Sequence, residues 1–510
     1  MEFIGWMYDI AREQSPREPV LREMLDRSLT AGYGAVGLYL EHRFAYDSAP
    51  WAADEGCVTP DLVRRLQSDY RPRGLRLIPF INTLGHMEGF LRAEGGRHLA
   101  EGSRFGTEQL CPSNPDCAPF VRGLIDDVIN TFDDDWLHLG GDEPWQLGSC
   151  PKCTARSAEI GKAGLYGEWY RPLCEYALQR GKRPGLWADA VLEHPDALKY
   201  LPRETLLFDW QYDQRPQATT SRLRAAGFEV VCCPAVHSFD SGWCFLDATQ
   251  RNIVEHAEDA RALGGKGVLV TSWELCYFTQ YASIFPLILA AGEVLSRNVD
   301  WDTALATHGG PNYARVAQFL GVDLPAASEF LKPGTWRLLR DRLIMRQNPF
   351  ELWRDWRKDA CGEPGNRILQ ICDSASRLLP ETHALQWAVS LHRIAVEFVN
   401  RIEFAAQAYA RLDWPECVSH LENAQRVLRG LGPITEDAEA VGGSPVDRQR
   451  LNVLLGKVDR AIARVTRVSQ DALERRDTDG AIGYRPAFET LVHDHWLPRD
   501  QAAWRTGDRK

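Results

Sequence analysis

The 510-residue sequence contains no uninterrupted apolar run long enough to span a lipid bilayer. Its first residues also lack the basic stretch that begins a secretory signal peptide, so we expect a cytoplasmic protein. Positive charge is not in excess either, since 59 lysines and arginines stand against 70 aspartates and glutamates, for a net charge of -11. That balance argues against nucleic acid or an anionic membrane surface as the main partner.

Signatures of several chemistries are missing. No Gly-x-Gly-x-x-Gly turn follows a candidate strand, and no phosphate-cradling loop, Ser-His-Asp arrangement or metal-binding histidine cluster stands out. The 13 cysteines are scattered and odd in number, which fits a reducing compartment better than a disulfide framework. We therefore expect no cofactor, and a small molecule as the partner.

One cysteine pair, Cys150-Pro-Lys-Cys153, has the spacing of zinc ligands. A structural zinc site needs four ligands, and one such pair supplies two. The other cysteines considered as ligands show no matching spacing: Cys111, Cys117, Cys232 and Cys233. The sequence therefore predicts a reduced thiol pair and no metal site.

Short apolar runs alternate with amphipathic stretches over the first part of the chain. The candidate strands are Phe3–Tyr8, Ala35–Leu40, Leu75–Ile81, Trp136–Gly140, Arg183–Ala188, Thr205–Trp210, Glu229–Cys233 and Gly267–Trp273. Candidate helices lie between them, among them Pro60–Tyr70 and Gly167–Arg180. This pattern predicts an α/β fold, a (β/α)8 TIM barrel, at residues 1–298. An open doubly wound sheet is the alternative, weakened by the missing glycine-rich turn.

The second part of the chain has a different character, because glycines thin out and long amphipathic patterns appear. These patterns are Glu381–Arg411, Trp414–Leu431 and Val446–Arg475. They predict a mainly α-helical C-terminal domain at residues 299–510, in which the polar stretch Gly432–Ser444 connects two helices. Covering the barrel, closing the active site and forming a homodimer are all open as roles for this domain.

The stretch Trp136–Trp145 holds the strongest chemical signal. Apolar residues around His138 predict a buried strand, and two glycines then bring the adjacent carboxylates Asp142 and Glu143 to its C-terminal tip. Neighbouring carboxylates in general push each other's pKa values apart, which suits acid catalysis beside a fixed negative charge, as in glycoside hydrolysis. The alternative is that the two acids cap a following helix that starts at Pro144.

The segment His138-Leu-Gly-Gly-Asp-Glu143 resembles the His-x-Gly-Gly-Asp-Glu signature of family 20 glycoside hydrolases, the β-N-acetylhexosaminidases. Three further segments are similar to that family: Leu75–His86, Leu110-Cys-Pro-Ser-Asn-Pro115 and Trp273-Glu274. The resemblance implies an exo-acting retaining enzyme that removes terminal β-linked GlcNAc or GalNAc. It also implies substrate-assisted catalysis, in which the substrate's own acetamido oxygen attacks the anomeric carbon and gives an oxazolinium intermediate. By that resemblance Glu143 is the general acid and base, and Asp142 holds the acetamido N–H.

The resemblance implies a substrate-binding set around this pair. Its members follow the other predicted strands: Glu41, His86, Trp187, Asp189, Trp210, Tyr212, Asp240, Trp243, Trp273 and Glu274. The tryptophans are candidates for walls around the acetamido methyl and the sugar face, although core filling explains each one as well. Glu41 and Glu274 are candidates for binding sugar hydroxyls. Asp189 and Asp240 are candidates for the acetamido pocket, and His86 for a polar network around the acid.

Two departures from the family pattern affect the predicted sugar contacts. Many members have an arginine just before the glycine of the first strand, but Phe3-Ile4-Gly5 has none, so Glu41 or Arg43 takes that task or the substrate's end differs. The family also uses a tyrosine two residues before an aspartate on the seventh strand. Ser238 stands there, and Tyr212 or Tyr277 is the candidate substitute.

Two other functions stay open. One is a retaining β-glycosidase with an enzyme nucleophile, in which Glu143 is the acid and Asp240 or Glu274 attacks the sugar. The other is a non-catalytic sugar-binding protein on the same barrel, which the two departures allow.

Overall fold

A computed structural model describes residues 2–11, 14–102, 108–239, 241–273, 281–333, 339, 342–343, 346–381, 383–440, 446–479 and 487–493. Its barrel strands are β1 (Phe3–Asp9), β2 (Ala35–Tyr39), β3 (Arg76–Phe80), β4 (Trp136–His138), β5 (Arg183–Trp187), β6 (Leu206–Trp210), β7 (Glu229–Cys233) and β8 (Gly267–Ser272). Each strand pairs in parallel with the next, and β8 pairs with β1, so the sheet closes. The predicted barrel is confirmed, and the open doubly wound sheet is wrong.

The helices of the barrel part are α1 (Glu18–Thr30), α2 (Pro60–Tyr70), α3 (Glu88–Arg92), α4 (Cys117–Ile129), α5 (Pro151–Gln179), α6 (Asp189–Glu193), α7 (Gln217–Ala225), α8 (Leu246–Ala262) and α9 (Tyr281–Arg297). Helix α2 begins as its sequence predicts, since the Thr59 hydroxyl accepts a hydrogen bond from the Leu62 N–H and Pro60 occupies the first turn.

Helix α5 begins at Pro151 rather than at the predicted Gly167. Gly161 interrupts it with a φ of 72°, and this break hides the first half of the helix from a search for helical periodicity. The residue that caps α5 is Cys150, whose sulfur accepts a hydrogen bond from the Cys153 N–H. Asp142 and Glu143 therefore do not cap it, and that alternative is wrong.

Apolar side chains fill both faces of the sheet. The barrel interior holds Phe3, Met7, Ile78, Phe80, Trp136, Phe208 and Leu269, among others. A second apolar cluster lies between the strands and the helices and continues into the C-terminal part. Burial on both faces explains why the strands read as nearly continuous apolar runs.

The C-terminal part is helical, as predicted. Its helices are α10 (Trp301–Gly309), α11 (Tyr313–Gln318), α12 (Leu324–Ala327), α13 (Pro349–Ala360), α14 (Glu363–Leu378), α15 (Ala384–Ala410), α16 (Trp414–Arg429), α17 (Leu431–Ala440), α18 (Asp447–Asp479) and α19 (Phe488–Val492). None of the described helices is both long and apolar enough to cross a membrane.

One predicted connection is wrong, because α17 covers most of the stretch Gly432–Ser444. Leu431 and Ile434 are buried at helical spacing, and a single turn of apolar residues was too short to be recognised as a pattern. The division between residues 298 and 299 stays a prediction.

The loop after β7 joins the barrel to the C-terminal helices. Trp243 packs 6.4 Å from Tyr313 of α11, measured between ring centroids, and both side chains donate a hydrogen bond to the Ser283 carbonyl of α9. A Cβ at Gly242 would lie 2.4 Å from Nε2 of His392, on α15. The C-terminal helices therefore support a loop at the carboxyl end of the barrel.

Candidate active site

Strand β4 ends at His138, whose ring lies inside the barrel. Its centroid is 4.4 Å from that of Phe80 and 4.4 Å from that of Trp187. Burial lowers the pKa of His138 to about 3, so the ring is neutral and can accept a hydrogen bond. Its Nδ1 accepts one from the Gly140 N–H at 3.0 Å, which holds the turn after the strand.

The turn itself requires glycine. Gly140 and Gly141 have φ values of 73° and 97°, which side chains other than glycine rarely adopt. A Cβ on Gly140 would lie 2.8 Å from Asn82 Oδ1, and one on Gly141 would lie 2.6 Å from the Tyr166 hydroxyl. The close packing of this turn sets the direction in which the chain leaves the strand.

The two acids that follow have different surroundings. Asp142 is 7% exposed, whereas the side chain of Glu143 is 33% exposed. Nε2 of His86 lies 3.4 Å from Asp142 Oδ2 and 3.3 Å from Glu143 Oε2. The other oxygen of Asp142, Oδ1, is buried and has no hydrogen-bond partner among the described residues. Asp142 is therefore held on one side and open to an N–H or O–H donor on the other.

The charge of Asp142 depends on two opposing effects. Burial raises the pKa of Asp142, but the charge and hydrogen bond of the His86 imidazole outweigh burial and hold the pKa below its ordinary value. Asp142 is therefore ionised at neutral pH. An ionised carboxylate with an open oxygen suits a ligand group that is, or becomes, positively charged.

Three residues beside the strand ends have strained backbones. Glu41 after β2, His86 after β3 and Glu143 after β4 have φ values of 41°, 52° and 45°. Such left-handed angles cost on the order of 1–3 kcal/mol for residues other than glycine, and they persist where the surrounding structure enforces them. Their occurrence after three neighbouring strands marks this end of the barrel as the functional one.

Asp189, directly after β5, holds Glu143 through its backbone. Its Oδ2 accepts a hydrogen bond from the Glu143 N–H at 2.8 Å, and its Oδ1 accepts one from Trp210 Nε1 at 3.3 Å. Burial and then the negative charge of Asp142 raise the pKa of Asp189 to about 7. The structure thus brings Asp189 to the acid pair, and its predicted place in the acetamido pocket stays a prediction.

An aromatic wall follows β6 and β8. The Tyr212 hydroxyl accepts hydrogen bonds from Trp273 Nε1 at 2.6 Å and from Thr271 Oγ1 at 3.3 Å. The Trp210 ring lies 5.0 Å from the Tyr212 ring, and the Trp273 ring lies 5.0 Å from that of Tyr39. These predicted residues therefore form one continuous surface.

The other two predicted tryptophans are buried. Trp187 lies in the barrel interior, 5.9 Å from Trp273, and its Nε1 has no partner among the described residues. Trp243 is 2% exposed and contacts Tyr313 and Ser283. The contacts of Trp243 are those of a core side chain, which is the other explanation offered for each tryptophan.

Glu41 lies on the opposite side of the pair from this wall, near His86. The carboxylate of Glu41, a ring nitrogen of His86 and the carboxylate of Glu88 lie within 4.8 Å of one another. Glu88 was not predicted as a site residue. It follows His86 by two positions, and the fold of the β3–α3 loop turns it inward.

Arg43 was one candidate for the role of the missing first-strand arginine. Its guanidinium donates to the carbonyls of Gln14 and Glu55 and to the Ser15 hydroxyl, and Arg43 is 1% exposed. These bonds tie two loops together, so Arg43 does not present its charge to a ligand. Glu41 is the remaining candidate.

A recess beside Glu143 contains a residue that the sequence did not single out as a ligand contact. Its lining residues are His86, Glu108, Gln109, Glu143, Trp145 and Gln146. Trp145 is 73% exposed, which is unusual for so large an apolar side chain. Its neighbourhood to the signature was visible in the sequence, but its exposure was not.

Asp240, Glu274 and Tyr277 lie outside the described residues. Their predicted roles as sugar ligand, nucleophile or acetamido-binding tyrosine therefore stay predictions.

Residues 37–283 match the family model described as "Glycosyl hydrolase family 20, catalytic domain". The barrel belongs to glycosyl hydrolase family 20. The matched range runs from β2 into α9 and includes the signature at residues 138–143. The resemblance drawn from that signature is confirmed.

Two relatives of this family 20 domain illustrate how far the similarity extends. A "Beta-hexosaminidase" of Akkermansia muciniphila is 23% identical over 209 residues, which cover 38% of this chain and 40% of that protein. A "Lacto-N-biosidase" of Bifidobacterium bifidum is 33% identical over 157 residues, which cover 29% of this chain and 14% of that protein. The chain therefore spans less than half the length of these curated relatives.

Among solved structures, the chitobiase of Flavobacterium johnsoniae is similar to this chain with a TM-score of 0.51 at 15% sequence identity. The superposed region covers 96% of this chain and 74% of that one. Similarity at this identity establishes the fold, both for the family 20 barrel and for helices beyond it.

Proposed function

We propose that the chain is an exo-acting, retaining β-N-acetylhexosaminidase that hydrolyses terminal β-linked GlcNAc or GalNAc by substrate-assisted catalysis. The observation that carries this proposal is the open Oδ1 of Asp142, which belongs to an ionised carboxylate held by His86 on its other oxygen. Such an acceptor suits the N–H of a 2-acetamido group. Membership of family 20 and the similarity to a β-hexosaminidase support the same activity.

In the proposed reaction Glu143 gives its proton to the glycosidic oxygen as the bond to the leaving group breaks. The acetamido oxygen bonds to the anomeric carbon, and Asp142 stabilises the positive charge that develops on the acetamido nitrogen. Water, which loses a proton to Glu143, then attacks the anomeric carbon and opens the oxazolinium ring with net retention. The attacking oxygen is tethered to the substrate, so its effective concentration is high.

The proposal assigns Tyr212 to the acetamido oxygen, in place of the missing tyrosine of the seventh strand. The Tyr212 oxygen accepts hydrogen bonds from Trp273 and Thr271, so its own hydrogen is directed to another acceptor. A donor in this place polarises and orients the attacking group. Tyr212→Phe should lower kcat with aryl β-GlcNAc while the enzyme still requires the acetamido group.

A panel of aryl β-glycosides tests the substrate class. GlcNAc and GalNAc substrates should be hydrolysed, whereas the glucoside and galactoside, which lack the acetamido nucleophile, should not. Equal rates on glucoside and GlcNAc substrates would refute substrate assistance. A covalent enzyme adduct with a 2-fluoro sugar would instead support the alternative with an enzyme nucleophile.

The leaving group tests the role of Glu143. Glu143→Gln should lower kcat about 10²–10⁴-fold on a disaccharide, whose leaving group needs a proton, and less on a dinitrophenyl glycoside. Glu159→Gln is the matched control, because the Glu159 side chain is 66% exposed on α5 and forms a surface pair with Arg156. Unchanged disaccharide hydrolysis by Glu143→Gln would contradict the proposal. Calorimetry that detects GlcNAc binding without any hydrolysis would favour the sugar-binding alternative.

We also propose a reducing compartment and a homodimer formed through the C-terminal helices. The described cysteines are free thiols, which supports the first. Phe404 on α15 and Val453 on α18 are 43% and 42% exposed, which supports the second. Light scattering of Phe404→Glu and the wild type should give a smaller mass for the variant.

A further inference from the structure

Four side chains with metal-ligating atoms meet next to the loop between β4 and α5. They are Glu101, Cys111, Cys150 and Cys153, and one ligating atom of each lies within 4.8 Å of the others. The sulfur of Cys111 is 3.6 Å from that of Cys150 and 3.6 Å from that of Cys153. Glu101, Cys111 and Cys153 are buried, and Cys150 is half-buried.

The sulfur separations fit a shared ion. A tetrahedral zinc ion binds thiolate sulfur at about 2.3 Å, which places two sulfurs about 3.8 Å apart. A disulfide bond would bring them to about 2.05 Å. The observed separation of 3.6 Å is close to the first value and far from the second.

The charge of the cluster also calls for a cation. The carboxylate of Glu101 accepts hydrogen bonds from the Cys150 N–H at 3.0 Å and from the Cys153 thiol at 3.2 Å. Within the described residues, no lysine or arginine pairs with Glu101, which is 3% exposed. A buried carboxylate without a positive partner is costly, and a divalent ion would supply that charge.

Neighbouring groups are placed to hold thiolates. The Cys150 sulfur accepts a hydrogen bond from the Cys153 N–H at 3.3 Å, at the N-terminus of α5, where the helix dipole favours negative charge. The Ser113 hydroxyl lies 3.1 Å from the Cys153 sulfur. Such contacts orient the ligands of a metal site.

We propose that Cys111, Cys150, Cys153 and Glu101 bind one Zn²⁺ ion in a closed tetrahedral site. Four protein ligands leave no position for a reacting water, so the ion is structural. Cys150 and Cys153 were predicted to be a reduced thiol pair, and the structure adds the two ligands that this pair lacked. The proposal is independent of the glycosidase activity.

The ion would join three segments around the recess of the active site. The Glu101 N–H donates to the Gln109 carbonyl, and the Cys111 N–H donates to the Leu99 carbonyl, so two of the segments are already paired. The third begins α5 and ends the loop that carries Glu143 and Trp145. The zinc ion would therefore fix the far end of that loop.

Metal content of the full-length protein tests the site. Protein purified from zinc-supplemented cells without chelators should contain about one zinc ion per chain, as expected for a single four-ligand site. Replacement by Co²⁺ should give the sulfur-to-cobalt absorption and intense visible bands of tetrahedral thiolate coordination. Removal of the ion should lower Tm and make Cys111, Cys150 and Cys153 reactive toward a thiol reagent.

Variants locate the ion without relying on activity. Cys111→Ser combined with Cys153→Ser should abolish cobalt binding, and Ser113→Ala should weaken it about 10-fold or more. Cys174→Ser is the matched control, because Cys174 is buried on the same helix but outside the cluster and should leave metal content unchanged.

Three results would overturn the proposal, and all are obtained on the folded wild type. They are a metal content no higher than that of a cysteine-free control protein after incubation with zinc, cobalt bound without thiolate absorption, and a disulfide that includes Cys111 in mass spectra of the unreduced protein.

Discussion

Asp142 and Glu143 are neighbours in the chain but differ in every contact that matters for chemistry. Asp142 is buried with one oxygen beside His86, and Glu143 opens onto a recess while Asp189 holds its backbone. Opposed environments are how adjacent carboxyl groups acquire different tasks. Three strand ends cooperate in this, since His86 follows β3, the acids follow β4 and Asp189 follows β5.

The raised pKa of Asp189 predicts a pH-dependent stability. Its pKa is about 7 in the folded protein and about 3.9 in an unfolded chain, so the folded state binds this proton more tightly. The resulting stabilisation is complete below about pH 4 and is lost as pH rises through about 7. The free energy of unfolding of the wild type relative to Asp189→Asn should fall on the order of 1–3 kcal/mol between pH 5 and pH 8.

Urea unfolding of both proteins at the two pH values measures this change. Asp471→Asn is the control, because Asp471 is exposed on α18, and its difference from the wild type should not vary with pH. A difference for Asp189→Asn that stays constant across the range would contradict the shift.

Trp145 predicts a contact with the leaving group. It is exposed beside Glu143, on the side where the proposed acid meets the glycosidic oxygen. Aromatic stacking contributes about 0.5–1.5 kcal/mol, so Trp145→Ala should lower kcat/KM for a β-linked disaccharide about 2- to 10-fold. Methyl β-GlcNAc, which has no ring to stack, should be unaffected. Trp51→Ala removes another exposed tryptophan and serves as control; equal losses on both substrates would exclude the contact.

At the scale of elements, the end of β4 has more constraints than any local pattern reveals. His138 accepts the Gly140 N–H from inside the barrel, and Gly85 packs so closely that a Cβ there would lie 2.6 Å from the Asp142 carbonyl. The turn is therefore held by the strand before it and by the loop after β3. Strain at such a site is compensated by the surrounding packing.

Substitution of Gly141 tests this element. Gly141→Ala adds a Cβ 2.6 Å from the Tyr166 hydroxyl at a φ of 97°, and it should destabilise the protein by about 2 kcal/mol or more. Displacement of the acids by about 1 Å should reduce kcat/KM about 10²-fold. Gly148→Ala has a similar φ of 86°, but its Cβ would meet Ser157 at 3.7 Å, so it should cost strain alone and keep most activity. Equal activity of the two variants would show that crowding at Gly141 is unimportant.

At the scale of the whole molecule, the barrel and the C-terminal helices share one apolar core. The loop of residues 241–246 lies between them, with Trp243 against Tyr313 and Gly242 against His392. The same loop follows His237 and Ser238 at the end of β7. The helices therefore stabilise part of the rim on which the site is built.

Trp243 separates a role in this core from a role in the cleft. Trp243→Ala should lower the free energy of unfolding by about 3–5 kcal/mol and leave KM unchanged, because it removes a buried side chain. Trp210→Ala is the comparison, since Trp210 is half-buried in the aromatic wall and should raise KM with a smaller loss of stability. Thermal unfolding and kinetics on aryl β-GlcNAc measure both. A raised KM with unchanged stability for Trp243→Ala would place it in the cleft.

The sequence by itself determined the barrel, the helical C-terminal part and the acid pair at the tip of β4. Each of these is written in local signals: apolar runs, helical spacing and six contiguous residues of a family signature. Only the tertiary structure decided which tryptophans face the cleft, that Asp189 holds Glu143, and that Glu101 and Cys111 meet Cys150 and Cys153. Those relations join residues up to about fifty positions apart in the chain, and closure of the barrel and the packing of its loops, rather than any local pattern, bring them together.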